Sequence, residues 1–290
     1  SFPTRRSSDL SSGITLDLKW EKYKNGIMRA AVKGNPVMDM LIVNGDLRSM
    51  ARYPDYDKTA VRFNGTSALA TVPERVKKWK NPEGGYLHAM HSHDWGDFHY
   101  RITGKNEKGE LQLEGGWQNN RPMGIHPENR MVENIFEELD APGEWYYDKQ
   151  EGWLYYYPLS DENINELVFE TPQLKNLIEI AGTSSHPVKN ITIEGIELTQ
   201  TIRTFMEHYE PLLRSDWTIY RGGAVIFRGT EKCTLRDCYI HHVGGNGVFF
   251  DKYNRNSAVT GSYLTSIGAS AICFVGDVAG VRSPSFRYGE

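Results

Sequence analysis

The sequence predicts an all-β protein built on a right-handed parallel β-helix, which is a solenoid of stacked coils. Residues 223–275 repeat at a spacing of 24 residues, so that residues 243–250 align with residues 267–274. The same offset aligns Tyr239 with Tyr263 and Ile240 with Leu264. The repeated strands are short, rich in β-branched and aromatic residues, and bounded by Gly and Asn. A period in the twenties with such strands indicates coils that are stable only when stacked.

Residues 11–165 predict a β-rich module, either N-terminal to the coils or inserted between them. Strands are expected over residues 26–32 and 40–43, followed by a hairpin turn at Asn44-Gly45. Pro73 is expected to open a short helix. Residues 144–148 and 153–157 flank a glycine-containing loop and predict a second hairpin.

Residues 166–290 predict the incomplete coils, with strands over 177–180 and 191–198. Ile193 and Leu198 match Leu235 and Ile240 at an offset of 42, which exceeds one coil of 24 by 18 residues. These extra residues fall within 201–222. Long insertions in a compact scaffold are usually functional, so this segment is a candidate wall of a binding site.

The two ends of the chain predict truncation. The first ten residues, SFPTRRSSDL, resemble a translated sequencing adapter, and residues 1–10 are therefore treated as an artefact. A solenoid needs polar caps, and residues 283–290 supply none, so further coils are expected to follow. On this interpretation the absence of a signal peptide does not argue against secretion.

Composition excludes several classes of function. The net charge is −4 without a basic block, which argues against a nucleic-acid partner. No apolar run reaches the ~20 residues that span a bilayer. The three cysteines fall out of register, which predicts buried free thiols rather than disulfides. Seven Trp and sixteen Tyr offer platforms for sugar rings, and the oligomeric state stays open.

The insertion and the strand after it hold the candidate site. Glycosidic hydrolysis needs two carboxyl groups about 5 Å or about 6.5–9.5 Å apart, and neighbouring coils lie ~4.8 Å apart. Asp216 is predicted to pair with Asp251 as the catalytic acids, with Glu207 as a third candidate. The predicted substrate contacts are Arg203, His208, Glu210, Arg214, Trp217, Arg221 and Asn254. Alternatively, the acids neutralise nearby arginines on a solvated surface.

Residues 88–99 contain four histidines. If these residues form a single strand, His91, His93 and His99 lie on one face. His91 and His93 are spaced to chelate one ion, whereas His99 lies too far along a straight strand to join them. A substrate contact and a plain polar strand face are the alternatives, and no metal or other cofactor is predicted.

Residues 132–146, 154–158 and 50–54 resemble bacterial secreted β-helix carbohydrate-active enzymes, nearest to glycoside hydrolase family one hundred and forty-one. The resemblance implies a polysaccharide or oligosaccharide substrate from plant or complex glycans, and a secreted, periplasmic or cell-surface location. In that family the catalytic acids lie far along the helix, so none is transferred to this chain. A polysaccharide lyase acting on uronates, with Ca²⁺, and a non-catalytic glycan-binding module are the alternatives.

Overall fold

The computed structural model describes residues 9–119, 124–211 and 218–277, and these residues are almost entirely β. The chain forms two compact units. Thr15–Glu170 is here called the central unit, and Ser1–Ile14 with Thr171–Glu290 is called the repeat unit. The prediction of an all-β protein is confirmed.

Strands β1 to β14 occupy the first part of the chain. Their bounds are β1 (Leu10–Ser11), β2 (Gly13–Thr15), β3 (Glu21–Lys22), β4 (Met28–Ala31), β5 (Leu41–Val43), β6 (Asp46–Arg48), β7 (Arg52–Tyr53), β8 (Tyr86–His91), β9 (Asp97–Lys105), β10 (Leu111–Gly115), β11 (Ile125–Glu133), β12 (Trp145–Asp148), β13 (Trp153–Tyr156) and β14 (Phe169–Pro172). A single α-helical turn, α1 (Pro73–Val76), begins at a proline, as the sequence predicts.

Strands β15 to β27 follow. They are β15 (Ile178–Ala181), β16 (Val188–Lys189), β17 (Thr192–Glu194), β18 (Glu197–Thr201), β19 (Glu210–Pro211), β20 (Thr218–Ile219), β21 (Val225–Glu231), β22 (Thr234–Arg236), β23 (Tyr239–Val243), β24 (Val248–Arg255), β25 (Ala258–Thr260), β26 (Tyr263–Ile267) and β27 (Ile272–Val275). Three 3-10 turns complete the described elements: Ala68–Thr71, Phe136–Glu138 and Ile164–Glu166.

The central unit is built from antiparallel hairpins. Its largest sheet has the order β10-β9-β8-β11-β7, and a second sheet has the order β12-β13-β4-β3. Both predicted hairpins are confirmed, because Val43 pairs with Asp46 across Asn44-Gly45 and Asp148 pairs with Trp153. Asn44 adopts a φ of +50°, the left-handed conformation that such a tight turn requires.

The repeat unit contains three parallel sheets, and each coil of the repeat contributes one strand to each sheet. The sheet orders are β1-β18-β23-β26, β17-β22-β25 and β15-β21-β24-β27. The predicted registers are confirmed at both offsets, since Leu198 pairs with Ile240 and Ile240 with Leu264. Inward-facing residues of successive coils therefore lie over one another, which gives the unit a continuous core.

An aromatic ladder fills part of that core. The Phe227 and Phe250 rings lie 4.8 Å apart, and the Phe250 and Phe274 rings lie 4.3 Å apart, nearly parallel in both cases. The three cysteines are buried and free, as predicted. Such stacking of like residues explains why the 24-residue period is visible in the sequence.

One sheet of the repeat unit carries a left-handed backbone position that recurs in each coil. Thr199 pairs with His241 and Thr201 with Val243, so the residues between them are skipped by the ladder. These skipped residues are left-handed in all three coils, at Gln200, His242 and Ser266. The register is the same on both sides of this position, and Val243 is buried while His241 and His242 are both partly exposed.

Candidate functional site

The insertion between β18 and β21 is present as a long excursion of the repeat unit. Its described part contains a small antiparallel pair in which Glu210 lies opposite Ile219. Asp216, Arg214 and Trp217 lie outside the described residues, so their assignments as catalytic acid and substrate contacts stay predictions.

Three predicted site residues at the start of the insertion have different surroundings. The Glu207 carboxylate forms an ion pair with Lys175, with Oε1 and Nζ 2.7 Å apart, and this hydrogen bond raises the pKa of Lys175. The Arg203 guanidinium lies over the Phe205 ring, 4.8 Å from its centroid. His208 is exposed.

Asp251 lies at the centre of an alternating chain of charges. Its side chain is 2% exposed, and its two oxygens accept hydrogen bonds from Arg221 Nη1 and Arg228 Nε, both at 2.6 Å. Arg221 also donates two hydrogen bonds to Glu210, from Nε at 2.6 Å and from Nη2 at 3.1 Å. Arg228 forms an ion pair with Glu179 at 3.1 Å. The arginine pairing expected as the alternative to catalysis is present at Asp251, but it is buried and not on a solvated surface.

The chain of charges fastens the insertion to the coils. Arg221 also donates to the Gly276 carbonyl at 2.9 Å, so one guanidinium joins two carboxylates and the backbone after β27. Burial works against the charge of Arg221, but its hydrogen bonds to Glu210 and Asp251 outweigh burial and raise its pKa. Bidentate arginine–carboxylate pairs are rigid, and we therefore interpret this chain of charges as a clamp.

Asn254, a predicted substrate contact, uses its amide within the coil. Its Oδ1 accepts a hydrogen bond from Thr230 Oγ1 at 2.6 Å, and its Nδ2 donates to the carbonyls of Phe227 and Asp251. These bonds satisfy backbone groups at the point where β24 passes its bulge.

A group of polar and aromatic side chains that the sequence analysis did not single out lies on the partly exposed face of the sheet β1-β18-β23-β26. We call it the tyrosine–histidine face; it comprises Glu197, Thr199, Tyr239, His241, His242 and Tyr263. Its rings form a ladder, since Tyr239 stacks on His241 at 4.3 Å and on Tyr263 at 5.7 Å, with interplanar angles of 19° and 13°. Tyr263 is 56% exposed and thus offers a flat surface to solvent.

Hydrogen bonds hold the imidazoles of this face. Glu197 Oε1 lies 2.7 Å from His241 Nε2, and His241 Nδ1 lies 2.9 Å from His242 Nδ1. Since a carboxylate only accepts, His241 carries its proton on Nε2, and His242 donates from Nδ1. The series Glu197–His241–His242 can therefore pass a proton along two imidazoles toward a carboxylate.

A signal for this face is present in the sequence. The 24-residue offset aligns Tyr239 with Tyr263, and residues alternating with the buried Ile240 must face outward. The His241–His242 contact was not predictable, because it depends on the left-handed backbone conformation of His242, a position that carries no glycine.

The histidine-rich segment of the central unit is a hairpin and not one strand. The single-strand interpretation was wrong, because Ser92–Gly96 form a turn between β8 and β9 with φ values of +58° at Asp94 and +149° at Gly96. His88 consequently lies opposite His99, with their Nδ1 atoms 2.7 Å apart. His91 is fully buried and stacks on Trp95 at 5.8 Å.

A buried carboxyl group is the most perturbed acid of the central unit. Burial raises the pKa of Glu144 to about 8, and the nearby Asp55 and Asp140 act in the same direction. Its Oε2 accepts weak hydrogen bonds from the amides of Asp140 and Ala141, both at 3.3 Å. Its Oε1 is buried without a hydrogen-bond partner.

No group of three or more His, Cys, Asp or Glu among the described residues is arranged to hold a metal ion. No helix in the described ranges is long and apolar enough to cross a membrane.

Comparison with known proteins gives a likeness of fold. No protein-family model matches the sequence, and no curated protein matches it. A solved structure titled "Glycoside hydrolase" superposes with a TM-score of 0.67 at 19% identity. The match covers 87% of this chain and 51% of the solved chain, so this chain spans about half the length of that neighbour.

Proposed function

We propose that this chain is part of a glycan-degrading enzyme, and that glycan binds on the tyrosine–histidine face of the repeat unit. The observation that carries the proposal is an exposed stack of aromatic rings next to a hydrogen-bonded carboxylate and imidazole, on one sheet face. The solved neighbour titled "Glycoside hydrolase" supports a fold of this kind.

The proposal includes the architecture. We infer that the three parallel sheets wind as a right-handed parallel β-helix, because each coil contributes one strand to each sheet at a constant offset. In such a stack, equivalent outward positions form rows along the axis, at a spacing of ~4.8 Å. A row of this kind suits an extended polymer better than a compact ligand.

The chemistry of the face suits a sugar ring. The axial C–H groups of a pyranose are apolar and pack on an aromatic plane such as Tyr263, while its hydroxyls bond to polar groups at the edge. Glu197 lies two coils from Tyr263 in the same row, and His241 lies on the intervening strand, two residues after Tyr239. They offer a hydrogen-bond acceptor and an imidazole ring. The position of the polar groups beside the platform is typical of sites that orient a ligand.

We propose glycosidic hydrolysis by paired carboxyl groups as the reaction, in a secreted enzyme acting on plant or complex glycans. Among the described candidates, Glu197 is accessible at 24% side-chain exposure, whereas Asp251 is 2% exposed and bonded to two arginines. Glu197 is therefore the acid that we place nearest to substrate.

Binding of a panel of soluble oligosaccharides to Tyr263→Ala tests the platform. Loss of one stacked ring removes about 1 kcal/mol, so the affinity of a binding oligosaccharide falls roughly fivefold to tenfold. Tyr56→Ala is the matched control, because Tyr56 is 54% exposed in the central unit and lies off the face. Equal affinity of Tyr263→Ala and the unsubstituted protein would remove the platform from the proposal.

The reaction is tested on the polysaccharide that binds. Release of reducing ends without an unsaturated, ultraviolet-absorbing product supports hydrolysis, and formation of that product identifies a lyase instead. Binding without either signal identifies a glycan-binding module. Glu197→Gln retains the shape of the side chain and is expected to lower turnover at least tenfold with little change in affinity.

A further inference from the structure

The turn that joins β8 to β9 presents an exposed indole. Trp95 is 58% exposed, whereas the other tryptophans of the described residues are buried or partly buried. A single exposed apolar side chain is common on a protein surface and needs no function. Trp95 differs from such a residue in how firmly it is held and in what surrounds it.

The protein covers one side of this indole. The Trp95 and His91 rings are nearly parallel, with an interplanar angle of 8° and centroids 5.8 Å apart. His91 is fully buried, and its ring is also stacked on Phe98 at 5.9 Å. His91 therefore lies on the core side of the indole, and the exposed part of Trp95 is the side turned away from His91.

Hydrogen bonds fix the turn that carries the indole. The His91 amide donates to the Gly96 carbonyl and the Asp94 amide donates to the His91 carbonyl, both at 2.8 Å. The Asp94 carboxylate accepts from Arg62 Nη2 at 2.8 Å and from Asn129 Nδ2 at 3.0 Å. A ligand that binds here does not have to order a loose loop, and this lowers the entropic cost of binding.

Polar side chains lie beside the indole. The His93 ring is tilted by 44° against the Trp95 ring, with centroids 5.6 Å apart. His93 Nδ1 lies 3.0 Å from Ser92 Oγ, so the ring has its Nε2 for a ligand. Arg62 and Asp94, which pair with each other, are 41% and 33% exposed. The turn thus combines an apolar plane with hydrogen-bond donors and acceptors.

These features select a class of ligand. A pyranose ring with equatorial hydroxyls has an apolar C–H face that packs on an aromatic plane, and its hydroxyls bond to polar side chains at the edge. The charges of Arg62 and Asp94 cancel, so the turn favours an uncharged sugar over an acidic one. One indole is also far smaller than the ~800 Å² that each partner buries in a stable protein interface.

We propose that Trp95 and His93 form a second glycan-binding site, which holds one uncharged pyranose ring of an oligosaccharide. Trp95 provides the plane, and His93 donates or accepts one hydrogen bond through Nε2. We assign binding and no catalytic step to this site. The kind of ligand rests on the proposed function, but the residues belong to the central unit and not to the tyrosine–histidine face.

Nitrogen-15 NMR of the whole chain during titration with cellohexaose, xylohexaose and a hexamer of galacturonate tests the site. The Trp95 indole signal, assigned with Trp95→Phe, is expected to shift with at least one of the neutral oligosaccharides and to stay in place with the galacturonate hexamer. Trp95→Ala should lower the affinity reported by the His93 ring about fivefold, which corresponds to about 1 kcal/mol for one stacked ring. Trp95→Phe keeps a smaller ring and should retain part of the affinity.

Two further variants separate binding from folding. His93→Ala changes an exposed side chain, so the Trp95 signal remains as a reporter, and loss of one hydrogen bond should lower the affinity about twofold to tenfold. Tyr23→Ala is the matched control and should leave the affinity unchanged. Tyr23 is 36% exposed and packs on Tyr155 in the sheet β12-β13-β4-β3 of the same unit.

The outcomes distinguish this site from the face of the repeat unit. Tyr263→Ala should leave the Trp95 response unchanged, and if that variant also binds as well as the unsubstituted protein, only the face is removed. Absence of a Trp95 shift at millimolar neutral oligosaccharide, or full affinity at the His93 ring in Trp95→Ala, would overturn the second site. So would an equal response to the galacturonate hexamer, or a Trp95 shift that follows protein concentration alone and so indicates contact between copies of the chain.

Discussion

The buried carboxyl of Glu144 predicts a stability that depends on pH in a direction opposite to most acids. Its pKa is about 8 in the folded protein, against 4.5 as an ordinary value. The folded state therefore binds the proton more tightly than the unfolded state. Below pH 4.5 the carboxyl is protonated in both states and does not lower the free energy of unfolding. As pH rises from 4.5 to 8, it lowers the free energy of unfolding progressively.

The size of the effect follows from the shift. A difference of 8 − 4.5 = 3.5 pH units corresponds to about 5 kcal/mol at 1.36 kcal/mol per unit. Glu144→Gln retains the shape of the side chain without the charge. The variant is expected to match the unsubstituted protein near pH 4 and to be more stable by up to about 5 kcal/mol at pH 9.

Urea unfolding followed by tryptophan emission at pH 4, 6 and 9 measures this difference. Tryptophan emission reports chiefly on the central unit, since six of the seven Trp lie within Thr15–Glu170. Glu138→Gln is the matched control, and it is expected to lower the free energy of unfolding. Glu138 is also buried, but its carboxylate accepts hydrogen bonds from Arg75 and Trp79, both at 2.6 Å. A stability gain of Glu144→Gln that is the same at all three pH values would refute the reasoning.

The ion pairs of the repeat unit predict three further outcomes, two from the clamp and one from an exposed pair. Asp251→Ala leaves Arg221 without its buried partner and should destabilise the repeat unit by about 3 kcal/mol, measured by urea unfolding followed by circular dichroism. In Arg221→Lys the lysine cannot donate two parallel hydrogen bonds to Glu210. We therefore expect proteolysis of the insertion to be faster than in the unsubstituted protein. Arg236→Ala, whose pair with Glu194 is about half exposed on both sides, should leave the urea midpoint nearly unchanged, and a clear decrease in the midpoint would show that exposed pairs support the stack.

The regular part of the fold was predictable from the sequence because stacking imposes a period. Phe250 and Phe274 lie over each other only if each coil contributes the same number of residues, so the 24-residue offset predicts register as well as strands. The turn at Asn44-Gly45 was predictable for a local reason, since few residues adopt the left-handed conformation that it needs.

The irregular features were harder to predict because their causes are not local. The turn at Asp94–Gly96 is compatible with its sequence, but His91, His93 and His99 fall on one face if the segment is a single strand, which favoured the wrong interpretation. The left-handed position at His242 is imposed by the coil, as the equivalent Gln200 and Ser266 show. The contact between Asp251 and Arg221 could not be predicted from the sequence. The two residues are 30 positions apart, and it is the path of the insertion that brings Arg221 to the coil.

The contrast between Asp251 and Glu197 explains why the tyrosine–histidine face is the better candidate site. Both are acids next to basic groups, but both Asp251 oxygens accept from guanidinium groups that remain charged at all working pH values. Both oxygens of this carboxylate are therefore occupied by guanidinium donors. Glu197 instead faces an imidazole, whose ring nitrogens can both donate and accept a proton. Proton transfer is therefore available at Glu197 without breaking the contacts that hold the insertion to the coils.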